Sequence, residues 1–417
     1  MSAVTPAVRR TGIAETLTTA LTELLGGEPP VRIQAWDGSL AGPADAPVLR
    51  LNRPEALRRM LWHPGELGAA QAYVTGAIDV EGDLDTALTH VRTVTAQRGL
   101  RLRPGPRVLA RLARLLRESG SLGTPLPPPA PQARVHGRLH SLTRDRDAIG
   151  HHYDLSNSFY SLILDSRLAY SCAYWTSHDP GYGIEQAQRD KLDLVCNKLG
   201  LEPGMRLLDV GCGWGALSLH AAEHFGARVL GVTISDEQRA HAQKQVADRG
   251  LADRVEIRLQ DYREVSEAGF DAVGSLEMGE HVGRHNYSTY AAVLDRAVRP
   301  GGRVLVQQMS RRGAHPGGGP FIESFIAPDM HMRPLGETVD LLEQAGLEVR
   351  DVQAMREHYV RTVAAWLAAF EANHDRVVDL VGPEVARVWR LYLVGGSAAF
   401  RDGRMGVDQI LCRRPAA

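Results

Sequence analysis

The segment that most restricts how this chain can fold is Leu207 to Gly215, LLDVGCGWG, a short apolar run that breaks into glycines at every second position. Arg206 to Val210 has the length and apolar character of a buried strand. Gly211, Gly213 and Gly215 permit a tight turn and a close approach of backbone to a ligand. The residues from about Ala216 to Phe225 read as the helix that follows. Such a turn sets a helix N-terminus, with its unpaired N–H groups, above the carboxyl end of a strand.

The same alternation continues downstream. Arg228 to Thr233 reads as a second strand, with a helix starting near Ser235. Val255 to Leu259, Ala272 to Leu276 and Arg303 to Met309 read as further strands, and Tyr287–Ala297 and Gly336–Ala345 as helices. Strands separated by helices call for a mostly parallel sheet covered on both faces, an α/β fold. No internal repeat is visible.

Ahead of this block, Ser119 to Gln132 (SGSLGTPLPPPAPQ) cannot hold a helix or a central strand. At 417 residues the chain exceeds what one core usually supports. The expected organisation is a small mixed accessory, lipid-associated domain over 1–118, a Pro-rich linker over 119–140 and a catalytic domain over 141–417. The first domain contains a strand-like Val48 to Leu51 and a helical Pro54 to Met60. It ends in a basic amphipathic stretch with Arg107, Arg111 and Arg114 on one face and Leu109, Leu112, Leu115 and Leu116 on another. That pattern suits anionic lipid headgroups. It equally suits a helix packed on its own domain with a solvated arginine face.

A net charge of −1 gives no global attraction to nucleic acid. Cys172, Cys196, Cys212 and Cys412 are scattered without a C-x-x-C pair, which excludes a zinc or dithiol motif and suits a reduced compartment. Cys212, inside the glycine turn, reads as packing. His151, His152 and His281 lack H-x-x-x-H spacing, so no metal is expected. No apolar run of about 18 residues occurs, and the opening MSAVTPAVRRTG lacks a signal-peptide core. A lipid substrate would be met at the membrane surface by a cytoplasmic, peripheral protein.

The glycine spacing is G-x-G-x-G rather than the dinucleotide G-x-G-x-x-G, and the second strand closes on GVTIS with no acid for a ribose. With Asp209 ahead of the turn, this resembles the first motif of class I S-adenosylmethionine methyltransferases. Further stretches narrow the resemblance: HHYDLSNSFYSLILDSRLAYSCAYW (His151 to Trp175), EHVGRHNYSTY (Glu280 to Tyr290), HYVRTVAAW (His358 to Trp366) and the C-terminal AAFRDGRMGVDQ. Together they resemble the cyclopropane fatty acid synthase family, including the mycolic acid cyclopropane synthases, over 141–417. AQAYVTGAIDVEGDL (Ala70 to Leu84) resembles the leading domain of its longer members.

That resemblance implies a Rossmann-like mostly parallel sheet and S-adenosylmethionine as cofactor. Tyr170 and Ser171 would hold its amino acid end, Gly211 and Gly213 would lie under its backbone, Thr233 and Gln238 would reach the ribose, and Asp261 and Tyr262 would flank the adenine. The implied reaction is alkylation of an acyl-chain double bond. An alkene is a feeble nucleophile, so the methyl must come from a sulfonium held in line with it. The resulting carbocation must be kept from water and is favoured by aromatic faces such as Tyr160, Tyr174, Trp175 or Tyr359. Loss of a proton then closes a cyclopropane ring or, after a hydride shift, leaves an exocyclic methylene.

In the family a bound bicarbonate removes that proton, gripped by a cysteine, a glutamate, a histidine and a tyrosine. Cys172, Glu280 and Tyr359 fall on three of these positions. Gln307, in LVQQM, replaces the histidine of L-L-H-T-I. SLEMGE stands where the family reads S-V-G-M-F-E, so Glu277 replaces glycine and Gly279 replaces phenylalanine. A further carboxylate repels bicarbonate, and losing the histidine weakens its grip. Loss of the phenylalanine is expected to make room for Glu277, which would serve as a built-in base; the alternative is a structural acid beside the cofactor. SLEMGE is closer to the S-V-E-M-x-E of the subgroup resembling tuberculostearic acid methyltransferases. This implies a 10-methylene product on an oleoyl phospholipid and a flavin-dependent reductase partner that saturates it. The alternatives are a bicarbonate-dependent cyclopropane synthase, a non-catalytic S-adenosylmethionine-binding subunit of a lipid-modifying complex, and a small-molecule or nucleic acid methyltransferase. Whether the chain forms a homo-oligomer stays open.

Overall fold

The computed structural model describes residues 12–100, 105–133, 144, 156–312 and 317–416. The chain divides between Gln132 and Ala133 into two compact units.

The first unit carries a small sheet of β1 (Arg32–Gln34), β2 (Leu40–Ala41), β3 (Val48–Leu51) and β4 (Ile78–Val80), in the order β2-β1-β3-β4. Ile33, Leu51, Leu57 and Ile78 form its core with Ala14 and Leu17 of the helix Ile13–Leu25. The Pro-rich run is packed here over 119–132. Trp62 Nε1 donates to the Gly123 carbonyl at 2.9 Å, Ser121 Oγ to Pro54 O at 3.1 Å and Gln71 Nε2 to Gln132 Oε1 at 2.8 Å. Side chains of the first unit thus hold a run whose prolines have no N–H to offer a ladder. This part of the expected linker is tied to the first unit; 134–140 lie outside the described residues. The arginine-rich helix (Pro106–Glu118) sends Leu115 into the core and pairs Arg111 with Glu23 at 3.0 Å, while Leu109 stays 56% exposed.

The second unit holds seven strands: β5 (Arg206–Val210), β6 (Arg228–Thr233), β7 (Val255–Leu259), β8 (Phe270–Leu276), β9 (Val298–Arg311), β10 (Glu348–Ala354) and β11 (Met405–Arg413). Their order is β10-β11-β9-β8-β5-β6-β7, with β9 through β7 parallel and β11 antiparallel to both its neighbours. Neighbouring residues divide between two apolar clusters: Leu207, Val229 and Ala272 enter one, Leu208, Leu230 and Val273 the other. Both faces are therefore covered, as a parallel sheet requires. Chain order reverses between β5 and β8, and the crevice over their carboxyl ends is where such sheets take ligands.

The helices Arg356–Ala372 and His374–Arg401 bring Trp366, Tyr359, Trp389 and Phe400 against Phe159, Tyr160 and Trp214 in a third, aromatic cluster. The second helix is broken at Gly382, whose φ of 78° precedes Pro383.

Candidate active site

A cavity of about 170 Å³ lies at that crevice, lined by the turn after β5, the ends of β6 and β8, the segment after β7, and Leu168 to Ser171. Gly211 and Cys212 both donate their N–H groups to the Val232 carbonyl at 3.0 Å, which folds the turn back onto β6. The two leading glycines act differently. A Cβ on Gly211 would meet Met278 Cγ at 2.8 Å, so close packing requires glycine there. A Cβ on Gly213 would meet nothing within 4 Å, so its φ of 55° shapes the turn and leaves room above it. Asp209 accepts from Ser218 Oγ at 2.6 Å, tying the strand to the helix that follows; burial pushes its carboxyl up to about 6.

The residues assigned to the cofactor by resemblance all line this cavity. Thr233 Oγ1 donates to Gln238 Oε1 at 2.8 Å, leaving the Gln238 amide nitrogen as the donor to offer a ribose. Asp261 accepts from Arg263 through its backbone N at 2.9 Å and its side chain at 2.8 and 2.7 Å, and the guanidinium lies 5.4 Å from the Tyr262 ring centre. Tyr170 Oη donates to Tyr392 Oη at 2.9 Å, and Ser171 Oγ accepts from Lys191 Nζ at 2.9 Å. Polar groups at two ends, an aromatic wall at Tyr262 and free space above Gly213 fit the amino acid, ribose and base of S-adenosylmethionine.

The acid end is built around Glu277. Its backbone, at φ 53°, is in the left-handed region that favours glycine, and its N–H donates to the Gln307 carbonyl at 2.5 Å. This turn throws the side chain inward, where it is 8% exposed. Oε1 accepts from Cys172 N at 2.6 Å and Gln307 Nε2 at 2.8 Å; Oε2 accepts from Tyr359 Oη at 2.8 Å. Burial raises the Glu277 pKa above the ordinary carboxylate range, and these donors together with the Lys191 charge offset only part of that rise. Gln307 is oriented by Gln409 of β11, whose Nε2 donates to Gln307 Oε1 at 2.9 Å.

Glu280 follows on a short turn, fully buried, with neither carboxylate oxygen hydrogen-bonded. Burial and then the Glu277 charge push it up to about 8, so it holds a proton at neutral pH. His281, on the cavity wall, is lowered by burial to about 4 and is neutral.

Two expectations are corrected. The space beside Gly279 does not hold Glu277: a Cβ there would lie 2.0 Å from Gln308 Oε1 and 3.2 Å from Tyr287 Cε2, and Tyr287 Oη fixes Gln308 by a 2.6 Å hydrogen bond. Of the four aromatic residues, Tyr160 and Tyr359 belong to the aromatic cluster beside Tyr170, Trp214 and Trp366. Tyr174 packs against the same cluster with its ring tilted 4.7 Å from that of His358, whereas Trp175 lies under Arg361 at 4.4 Å. His151 and His152 lie outside the described residues. Sequence reasoning missed Lys191, Gln409 and Tyr392. For Lys191 a signal existed: Ala187, Gln188, Lys191, Leu192 and Val195 share the helical spacing of one buried face. Gln409 and Tyr392 become relevant only through pairing across the fold.

Comparison with known proteins agrees with this geometry. The family described as mycolic acid cyclopropane synthetase matches residues 140–410. A probable fatty acid methyltransferase of Mycobacterium tuberculosis is 38% identical over 399 residues, spanning 93% of this chain and 92% of that protein. The tuberculostearic acid methyltransferase of the same organism is 35% identical over 91% of this chain and 87% of its own. The cyclopropane-fatty-acyl-phospholipid synthase of Escherichia coli is 36% identical over 63% of this chain and 66% of its own. Among solved structures, a mycolic acid cyclopropane synthase complexed with SAH and CTAB aligns with a TM-score of 0.61 and 32% identity, over 64% of this chain and 98% of that one.

Proposed function

The chain belongs to the mycolic acid cyclopropane synthetase family, and from that premise we propose that it methylates the double bond of an oleoyl-type phospholipid chain to a 10-methylene product, with Glu277 as the base. S-adenosylmethionine is its cofactor and supplies the methyl group as a sulfonium. One observation carries the finer reading: Cys172 N, Gln307 and Tyr359 all donate to Glu277. Two of these, Cys172 and Tyr359, stand where the family grips bicarbonate, and the third replaces its histidine. Their donors are directed to a carboxylate that belongs to the chain.

The protein's part in the reaction follows from this arrangement. Gly213 leaves space in which the cofactor would be held, and Thr233 and Gln238 would hold its ribose. Tyr160, Tyr170, Trp214, Trp366 and Trp389 form a continuous aromatic wall that excludes water and favours a cation on the acyl chain. Three hydrogen bonds oppose the rise that burial gives the Glu277 pKa, and its carboxylate is the group placed to take a proton from the carbon skeleton. Glu280, protonated and unpaired, adds no second charge beside it. The substrate is met at the inner membrane surface, and a flavin-dependent reductase saturates the methylene. The match to two methyltransferases across more than nine tenths of this chain, first unit included, supports the methylating over the ring-closing reading.

The test is expression in a host rich in oleoyl lipids with fatty acid profiling, followed by assays of purified enzyme with and without bicarbonate. A 10-methylene product, no response to bicarbonate and a loss of about 10²–10⁴-fold in Glu277→Gln are expected. Cyclopropane formation that depends on bicarbonate would establish the ring-closing alternative, and S-adenosylmethionine binding without any change in the lipids would establish the non-catalytic one.

A further inference from the structure

Lys191 is the one charged side chain on the buried face of the helix Ile184–Leu199, and it is 1% exposed. A buried ammonium is costly unless opposite charge compensates it. Its only hydrogen-bond partner among the described residues is Ser171 Oγ, at 2.9 Å. Cys172, the next residue, donates its N–H to Glu277 Oε1. One turn earlier on the helix, Gln188 Nε2 donates to the carbonyls of Ala169 and Ser171 at 3.0 and 2.8 Å. The strip Ala169–Cys172 is therefore bolted to the helix on one side and to the Glu277 carboxylate on the other. Lys191 and Glu277 both line the same cavity.

We propose that Lys191 is the positioning cation of the deprotonating site, its ammonium, seated on Ser171, supplying the charge that keeps Glu277 a carboxylate. This rests on the reading of Glu277 as the base. The groups facing Glu277 leave little else for the task. Glu280 raises its proton affinity if it ionises; the Tyr359 hydroxyl and the Cys172 thiol are neutral, both pushed well up by burial. Tyr392, also raised by burial, to about 12, is neutral too. His281 is uncharged, and Arg263, the other cation lining the cavity, is bound to Asp261. The Lys191 pKa is itself lowered by burial, and the carboxylates of Glu277, Asp165 and Asp209 oppose that shift. In this role it acts through the field at Glu277 while bonded to Ser171. The dry surroundings that strengthen this field also keep it from being screened by salt.

The experiment combines kcat against pH, on vesicles of a dioleoyl phospholipid, with infrared titration of the S-adenosylhomocysteine complex. The Glu277 carboxyl band is isolated by subtracting Glu277→Gln. Neutralising the cation in Lys191→Met is expected to move the acid limb of kcat and the Glu277 titration upward by about one pH unit, the size of an opposite charge nearby. Lys191→Arg, which keeps the charge, should leave both within a few tenths of a unit. A limb and a band that stay in place in Lys191→Met, in a folded enzyme, overturn the proposal. Should Lys191→Met not fold, Lys191→Gln takes its place. Should that fail too, the wild type decides, because a Glu277 already protonated at pH 7 contradicts the claim. A Glu277→Gln enzyme with near-normal turnover removes the base reading alone. The infrared shift still reports on Lys191 in that case.

Discussion

The two ends of the cavity are built on opposite principles. Over β5, β6 and β7 the ligand contacts come mostly from residues near each other in sequence: the glycine turn, Thr233 with Gln238, Asp261 with Arg263. Over β8, β9 and β11 the polar site is assembled from afar. Glu277 meets Cys172, 105 positions away, Tyr359, 82 away, and Gln307, 30 away, and Gln307 leans on Gln409, 102 away. A locally coded site tolerates change elsewhere in the chain. A site of distant parts turns on each partner, so one substitution can change its chemistry without touching cofactor binding.

That contrast can be broken most directly at the acid end. Replacing Glu277 by glycine together with Gln307→His recreates the bicarbonate-type pattern. We expect turnover without bicarbonate to fall by about 10²-fold or more and to recover when bicarbonate is added, while S-adenosylmethionine affinity stays within about threefold. A loss of affinity as large as the loss of turnover would mean that the two ends are not separable. At the cofactor end, Gln238→Ala removes one neutral hydrogen-bond donor. Calorimetry should show affinity weakened by about three- to tenfold, with the fatty acid product unchanged. A changed product ratio would contradict the division.

Between these in reach but smaller in effect, Gln409→Leu frees the Gln307 amide without altering the base. A decrease in kcat of about two- to tenfold is expected, with KM for S-adenosylmethionine unmoved. No change at all would show that Gln307 needs no support from β11. The mildest effect concerns stability. The Glu280 carboxyl is raised in the folded protein to about 8, against about 4.3 in an unfolded chain. Below both values the group is protonated in either state and its contribution is whole. Between them the unfolded chain gives up its proton while the folded protein keeps it, so stability declines as pH rises. Glu280→Gln should flatten the fall in melting temperature between about pH 5 and 8 by a few degrees. Parallel melting curves for the two proteins across that range would disprove it.

How far the sequence could be read follows the same division. β5, β6 and β7 fall where apolar runs between helices put them, because buried parallel strands are apolar along their length. β10 escaped notice because EVRDVQA, at the sheet edge, keeps its polar residues exposed. β11 starts inside the C-terminal AAFRDGRMGVDQ, whose glycines and charges do not read as a strand. The entry of Glu277 into the site is legible from an acid standing where the family has glycine. The missing phenylalanine does not account for its fit, since Gln308 and Tyr287, not Glu277, take up the space beside Gly279. Lys191, Tyr392 and Gln409 gain their meaning only when helices and strands far apart in sequence close on one point.

The left-handed backbone at Glu277 has a further consequence for the choice of acid. Among side chains other than glycine, that conformation is easiest for asparagine and aspartate. The chain nevertheless carries the longer carboxylate, whose extra methylene lets it span from the end of β8 to Cys172 and Tyr359. Reach has outweighed conformational ease at this position, and a shorter acid would sit comfortably on the backbone while falling short of all three donors.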